Sequence, residues 1–169
     1  MTRDQYFLIR KHLKVVEDNL VPRSARTEDK FWKIRPIAQR VREGCLTLPR
    51  GSKLAVDEQM IPFTGSACVM KQFVPNKPNP EGLKNLVLAA PNGLVLDFAL
   101  YQGKEHLVGS HSEELKLGEC VVLRLSEIVN ENTHLFFDRY FTTIHLLDML
   151  RERNLGGTET IMANRIPKI

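Results

Sequence analysis

The chain has 169 residues and a mass of 19.4 kDa, enough for one ordinary domain or for a small helical module and most of a second one. Hydrophobic residues make up 43% of it, so we expect a buried core, and no apolar run reaches the length that spans a membrane. The net charge is +4, but residues 1–50 hold 12 Lys/Arg against 6 Asp/Glu, while the remaining residues hold 12 against 14. The basic first part predicts an anionic partner, nucleic acid before others, although an ordinary solvated helical surface explains this charge equally well.

The cysteines and histidines show neither the pattern of a metal site nor that of a disulfide framework. Cys45, Cys68 and Cys120 lie far apart and form no CxxC pair, and the five histidines are scattered. An odd number of unclustered cysteines indicates a reducing compartment. The chain also opens with charged residues instead of a signal-peptide pattern, so we expect a soluble intracellular protein with no membrane partner.

The first 51 residues are predicted to form a helical module. Between residues 3 and 20, after a Thr2–Gln5 capping box, apolar residues recur at three- and four-residue intervals, which indicates one helix over that range. Thr27 is expected to cap a second helix, and Pro36 to break or restart it because proline removes a backbone donor.

Residues 52–169 follow a different pattern, in which strands come first and helices alternate with strands afterwards. The predicted strands are 53–63, 83–90 and 94–101, with a tight turn at 91–93 between the last two. The later elements are a helix at 119–130, a strand at 134–138, a helix at 142–154 and a last strand at 158–163. This order predicts an α/β fold with a mixed sheet, in the arrangement of ribonuclease-H-like proteins.

Two aspartates lie at the ends of apolar strands. Asp57 follows the apolar residues 54–56, and Asp138 follows 134–137. Hard carboxylate oxygens at a strand end suit a magnesium ion, but the two residues are 81 positions apart and can meet only if their strands are neighbours. Judged by this pattern alone, each is more often an ordinary acid at a sheet edge or turn. Glu58 is adjacent to Asp57 and therefore points to the opposite face of the strand.

Several sequence blocks resemble the piggyBac transposase family, including its domesticated relatives in animal genomes. They occur in the family's order and extend over nearly the whole chain. The blocks are KIRP (33–36), VDEQMIPF (56–63), KQFVPNKP (71–78), YQGK (101–104), FFDRYFT (136–142) and ANRIPK (163–168).

The resemblance implies a helical module (1–51) that dimerises and binds DNA, followed by the core (52–169) of a transposase with three catalytic acids. Asp57 would be the first acid and Asp138 the second, and together they would bind Mg²⁺ or Mn²⁺. In the family, the third acid follows an inserted domain, and a zinc-binding domain comes later still. Because this chain ends before both, we expect an incomplete ribonuclease-H-like core with weak or absent metal binding. The family also implies a nuclear location and TTAA as the target sequence.

Five basic residues are candidate contacts for double-stranded DNA. Three of them lie outside the apolar stripe of the first predicted helix, and two lie on the Pro-, Asn- and Gly-rich segment between residues 65 and 82. They are Arg10, Lys11, Lys14, Lys71 and Lys77.

Three functional hypotheses follow. The first is a piggyBac-derived protein that keeps some DNA binding but has no complete catalytic site. The second is an enzyme, a metal-dependent transposase that cleaves and joins strands at TTAA when a third acid comes from elsewhere. The third is a protein-interaction module that pairs with itself or with a full-length relative. A catalytic assay separates the second hypothesis from the others, and salt-dependent DNA binding separates the first from the third.

Overall fold

The computed structural model describes residues 1–63, 65, 70–75, 79–107, 114–158 and 160–166. The chain divides into two compact units, Met1–Gly44 and Cys45–Ile169. Within the described residues, no helix is both long and apolar enough to cross a membrane.

The helices and strands follow one another in the order expected for a helical segment before a mixed sheet. The helices are α1 (Arg3–His12), α2 (Arg23–Glu28), α3 (Arg35–Leu46), α4 (Leu117–Ser126) and α5 (Ile144–Glu152). The strands are β1 (Lys53–Pro62), β2 (Gln72–Phe73), β3 (Glu81–Ala89), β4 (Val95–Leu100), β5 (His134–Phe137) and β6 (Gly156–Thr158). Short 3₁₀ turns occur at Asp18–Leu20, Lys104–His106 and Ala163–Arg165.

The first helix is shorter than its apolar stripe predicts. The capping box is present, since Thr2 Oγ1 accepts from the Gln5 amide and Gln5 Oε1 accepts from the Thr2 amide. However, α1 ends at His12, and the prediction of one helix over residues 3–20 is wrong. Most apolar side chains of this stripe are exposed, Leu13 by 68%, so tertiary packing does not extend the helix.

The second predicted helix is also placed differently. Thr27 does not cap a helix, because α2 already begins at Arg23, after Pro22, and ends at Glu28. Asp29 then accepts hydrogen bonds from Nε and Nη2 of Arg35, both at 2.6 Å, and this bond is the main reason why the pKa of Arg35 is raised. A new helix, α3, begins at Arg35, which confirms the predicted restart at Pro36.

The six strands of the second unit form one mixed sheet in the order β2–β3–β1–β5–β6, with β4 also paired to β3. β1 is antiparallel to β3 and parallel to β5, and β5 is parallel to β6. The turn between β3 and β4 confirms the predicted hairpin, since the Gly93 amide donates to the Ala90 carbonyl at 2.9 Å. The predicted mixed α/β fold class is therefore confirmed.

One face of this sheet carries the core, and we call it the core face. Alternate residues of neighbouring strands are buried there, and buried side chains of α4 and α5 join them in one cluster. The core residues that the strands contribute are Leu54, Val56, Leu86, Leu88, Leu96, Leu135 and Phe137. The opposite side, the open face, carries Ala55, Asp57, Gln59 and Ile61 of β1 and Phe136 of β5, as the register of the two strands requires. On the open face Ile61 is 37% exposed and Phe136 is 40% exposed.

The last strand lies earlier in the chain than residues 158–163. β6 consists of Gly156–Thr158 and begins almost directly after the predicted helix 142–154. Its first residue contacts the His134 ring of β5 so closely that a Cβ atom would collide with the ring. The close approach of two strands therefore explains the glycine, and glycine's low strand propensity explains why the pattern does not show this strand.

Candidate metal and nucleic-acid site

Each of the two aspartates follows the last register pair between the neighbouring parallel strands β1 and β5. The last register pair between β1 and β5 is Val56 with Phe137, and both side chains are buried in the core face. The next residues along each chain are Asp57 and Asp138, which are exposed. Because adjacent strands lie about 4.8 Å apart, this register predicts that the two carboxylates lie close together, where β5 ends beside the middle of β1.

Each aspartate is oriented by the backbone that follows it. Asp57 Oδ1 accepts a hydrogen bond from the Glu58 amide at 2.7 Å, and Asp138 Oδ1 accepts one from the Arg139 amide at 2.5 Å. Within the described part of the chain, Oδ2 of either residue makes no hydrogen bond or ion pair. One oxygen of each carboxylate is thus held in place, and the second is available to a ligand.

The donor set suits a hard divalent cation but is small. Two carboxylates on adjacent strands fit Mg²⁺ or Mn²⁺, which bind oxygen ligands and keep several waters. Among the described residues, no group of three or more His, Cys, Asp and Glu side chains is placed to hold a metal ion. These residues therefore offer two of the three acids that the resemblance implies.

The other acids near these strands do not join the pair. Glu58 lies on the core-face side of β1, as expected from its position next to Asp57. Asp97 is fully buried in the hairpin, where Arg124 Nη1 lies 4.0 Å from its carboxylate. Asp148 and Glu152 are exposed on α5, and Asp148 pairs with Arg151 at 3.1 Å.

The turn after Asp138 is held by contacts that sequence patterns do not show. The Phe141 amide donates to the Asp138 carbonyl at 2.9 Å, and Arg165 donates to three carbonyls of residues 139–142. Lys84 Nζ lies 5.5 Å from the centre of the Tyr140 ring. Burial raises the pKa of Tyr140, and Tyr101 and Glu58 add to that increase. The only sequence signal for Arg165 is its place in the ANRIPK block.

The candidate DNA-contacting residues differ in whether an acid neutralises them. Arg10 and Lys11 lie in the last turn of α1 and Lys14 follows it; all three are exposed, and they form no ion pair within the described residues. Lys71, by contrast, forms an ion pair with Glu81, and Lys77 lies outside the described residues.

Other cations of the first unit are paired as well. Lys33 lies 3.6 Å from Asp18, and Arg40 lies 3.4 Å from Glu43. The cations around the end of α1 are therefore among those whose charge is available to phosphate groups.

Comparison with known proteins identifies the family. Residues 1–168 match the family model of transposase IS4. The chain belongs to this family, in its piggyBac type. The resemblance seen in the sequence blocks is thereby confirmed.

Human relatives agree with this assignment. PiggyBac transposable element-derived protein 3 is 33% identical over 176 residues, which cover 100% of this chain and 28% of that protein. The human chimeric ERCC6-PGBD3 protein is equally similar, with 100% of this chain and 16% of its own length covered. Human PiggyBac transposable element-derived protein 2 is 28% identical over 173 residues, which cover 96% of this chain and 27% of that protein. The chain thus spans less than a third of the length of these relatives.

A solved structure shows the same fold. The piggyBac transposase in a synaptic complex with hairpin DNA superimposes with a TM-score of 0.86 at 27% identity, over 99% of this chain and 35% of that one. The helical segment and the mixed sheet are therefore those of a piggyBac transposase.

Proposed function

We propose that this piggyBac transposase-derived protein binds double-stranded DNA through the end of α1, and that Asp57 and Asp138 form the two-carboxylate part of a divalent-metal site. The register of β1 with β5 carries the proposal, because both exposed acids directly follow its last pair, Val56 with Phe137. The similar solved structure is described as a transposase complex with hairpin DNA, which supports DNA as the partner. Such a protein would act in the nucleus.

A bound Mg²⁺ or Mn²⁺ would supply Lewis-acid stabilisation of phosphate oxygens. Asp57 and Asp138 would each hold it through one oxygen, and the amides of Glu58 and Arg139 would keep those carboxylates oriented. Two-metal catalysis needs more ligands than these two residues provide. We therefore propose that this chain, on its own, binds DNA without cutting it.

The alternative is a working enzyme in which a third acid comes from another region or from a partner chain. The adjacent position of the two aspartates favours it, since a third carboxylate would complete the site. A nicking assay with Mg²⁺ or Mn²⁺ on duplex DNA that carries TTAA decides between them. We expect no cleavage by the chain; cleavage that both Asp57→Asn and Asp138→Asn abolish would establish the enzyme.

A protein-interaction role has its own observation. Apolar side chains of the first unit are exposed, among them Leu13 by 68%, Leu20 by 80% and Val41 by 53%. Such side chains suit pairing with a second copy or with a full-length relative. Pairing without any affinity for DNA would favour this role over DNA binding.

The DNA-binding proposal is tested by the salt dependence of the affinity for duplex DNA. The logarithm of the binding constant falls with the logarithm of the salt concentration, and each lost phosphate contact makes that slope shallower by about 0.9. We expect the triple change of Arg10, Lys11 and Lys14 to Ala to flatten the slope by about two units or more.

A matched control removes the same charge from exposed cations that are already paired with acids. These are Lys33, Arg40 and Arg151, which pair with Asp18, Glu43 and Asp148. The control triple change to Ala should leave the slope closer to that of the unchanged protein. Equal slopes for both triple variants, or no binding at low salt, would contradict the proposal.

A further inference from the structure

Arg165 is 27 positions from Asp138 in sequence, but the two residues meet at the same turn. Arg165 ends the 3₁₀ turn Ala163–Arg165, and its Nη1 donates to the carbonyls of three residues that follow Asp138. The distances are 3.2 Å to Arg139, 2.9 Å to Tyr140 and 2.7 Å to Thr142. One guanidinium thus holds the turn that carries the second acid.

The same turn determines where the Asp138 carboxylate lies. The Arg139 amide donates a hydrogen bond to Asp138 Oδ1, and the Arg139 carbonyl accepts one from Arg165. The Arg139 amide shares its planar peptide unit with the Asp138 carbonyl, which accepts from the Phe141 amide at 2.9 Å. Holding the carbonyls of the following residues keeps the turn closed, and the closed turn limits the directions in which the Arg139 amide can point. Thr142 closes the turn from the other side, since its Oγ1 donates to the Asp138 carbonyl at 3.3 Å.

We propose that Arg165 is a positioning residue for Asp138: it clamps the carbonyls of the 139–142 turn and so holds the carboxylate where a divalent cation needs it. The inference rests on the proposed metal site. Arg165 has no contact with the metal in this scheme, and it acts through the backbone of the turn. Residues that orient metal ligands change metal affinity about 10- to 100-fold when they are replaced.

The charge of Arg165 distinguishes positioning from plain electrostatics. A cation close to the site repels a metal ion, so removing the charge alone should tighten metal binding. Losing the hydrogen bonds from Arg165 to the turn should instead weaken metal binding. The sign of the change therefore identifies the cause.

The test compares Mn²⁺ affinity and amide exchange in variants of the full chain. Arg165→Met keeps the apolar stem but removes all donors, and we expect its Mn²⁺ dissociation constant to rise about tenfold or more. Exchange of the Arg139 and Phe141 amides, measured without metal or DNA, should become faster. Arg151→Ala is the control, because Arg151 pairs with Asp148 on the exposed side of α5, and it should match the unchanged protein in both measurements.

The variant Arg165→Lys keeps the charge but loses the planar guanidinium. Its affinity for Mn²⁺ should lie between that of the unchanged protein and that of Arg165→Met. If Arg165→Met does not fold, Arg165→Lys decides. Weaker Mn²⁺ binding with faster amide exchange in Arg165→Lys supports the clamp, and the affinity and exchange rates of the unchanged protein would overturn it. Wild-type or tighter Mn²⁺ binding by a folded Arg165→Met also overturns it. If the unchanged protein binds no Mn²⁺, the proposed metal site is contradicted, and unchanged exchange in Arg165→Met would then overturn the clamp separately.

Discussion

At the scale of single residues, Glu119 is a buried carboxylate that joins the N-termini of two helices. It is 2% exposed, accepts a hydrogen bond from the Lys116 amide at 2.6 Å, and accepts another from the Thr143 hydroxyl. Thr143 in turn caps α5 by accepting from the Leu146 amide at 3.0 Å. His145 Nδ1 lies 3.4 Å from the same carboxylate. Glu119 therefore holds α4 and α5 together.

These contacts predict how stability changes with pH. Burial acts to raise the pKa of Glu119, but the hydrogen bonds from Thr143 and Lys116, together with His145, outweigh it and lower the pKa below 4.5. A lowered pKa means that Glu119 stabilises the fold above about pH 4.5, and that this contribution is lost as the pH falls through the lower, folded-state value. Chemical denaturation between pH 7 and pH 3 should show that loss.

The variant Glu119→Gln keeps the shape of the side chain and removes its charge. We expect it to lower the free energy of unfolding at pH 7 by about 1.5–3 kcal/mol and to reduce the pH dependence below pH 4.5. Glu127→Gln is the control, since Glu127 is exposed and, among the described residues, forms an ion pair only with Arg124, at 3.1 Å. Its effect should stay below about 1 kcal/mol. Equal effects of both variants would contradict a special role of Glu119.

At the scale of elements, the start of α4 packs directly on the turn that follows Asp138. A Cβ atom added to Gly118 would lie 2.7 Å from Cα of Phe141 and 3.0 Å from the carbonyl oxygen of Tyr140. Backbone atoms cannot yield as a flexible side chain can. We therefore expect Gly118→Ala to lower the free energy of unfolding by about 1–3 kcal/mol, measured by denaturant titration.

Gly51 offers the matching control in the same unit. A Cβ atom added there has no heavy atom within 4 Å among the described residues. Gly51→Ala should therefore change the unfolding free energy by about 0.5 kcal/mol or less. If Gly118→Ala is as stable as Gly51→Ala, the contact between α4 and the turn is looser than the structure indicates.

Elements differ in how far sequence patterns predict them. The strands β1, β3, β4 and β5 are predicted almost to their ends, because alternating or continuous apolar residues are buried where they occur. The prediction fails for α1 beyond His12, since an apolar stripe forms a long helix only when something packs on it. It also fails for β6, whose first residue, Gly156, is explained by the neighbouring strand β5 and not by local preference.

At the scale of the whole molecule, the sheet has one face in the core and an open face with exposed apolar side chains. Ile61 and Phe136 lie on that open face, together with Asp57. Exposed apolar patches favour association and bind apolar dyes. We expect the protein to bind such a dye, as measured by fluorescence. We also expect it to self-associate as its concentration rises, as measured by light scattering.

The double variant Ile61→Thr/Phe136→Thr should reduce dye binding and association without unfolding the core. Leu94→Thr is the control: this residue is 43% exposed but lies at the hairpin turn between β3 and β4. It should leave both measurements nearly unchanged. A monomer that binds no dye, or equal behaviour of the two variants, would contradict the prediction.

The sequence by itself determined the family, the fold class and the two candidate acids. Blocks of residues keep their order along the chain, and apolar periodicity reports which face of each strand is buried. These are local properties, and the positions of Asp57 and Asp138 after apolar runs can be read directly from them.

Only the tertiary structure decided which of these residues meet. The register of β1 and β5 pairs Val56 with Phe137, the residues before Asp57 and Asp138, across 81 positions, and Arg165 reaches the turn that follows Asp138. It also shows Lys71 paired with Glu81 and Glu119 bonded to Thr143. Contacts between residues far apart in the chain depend on how whole elements pack, and no local pattern of residue types encodes that packing.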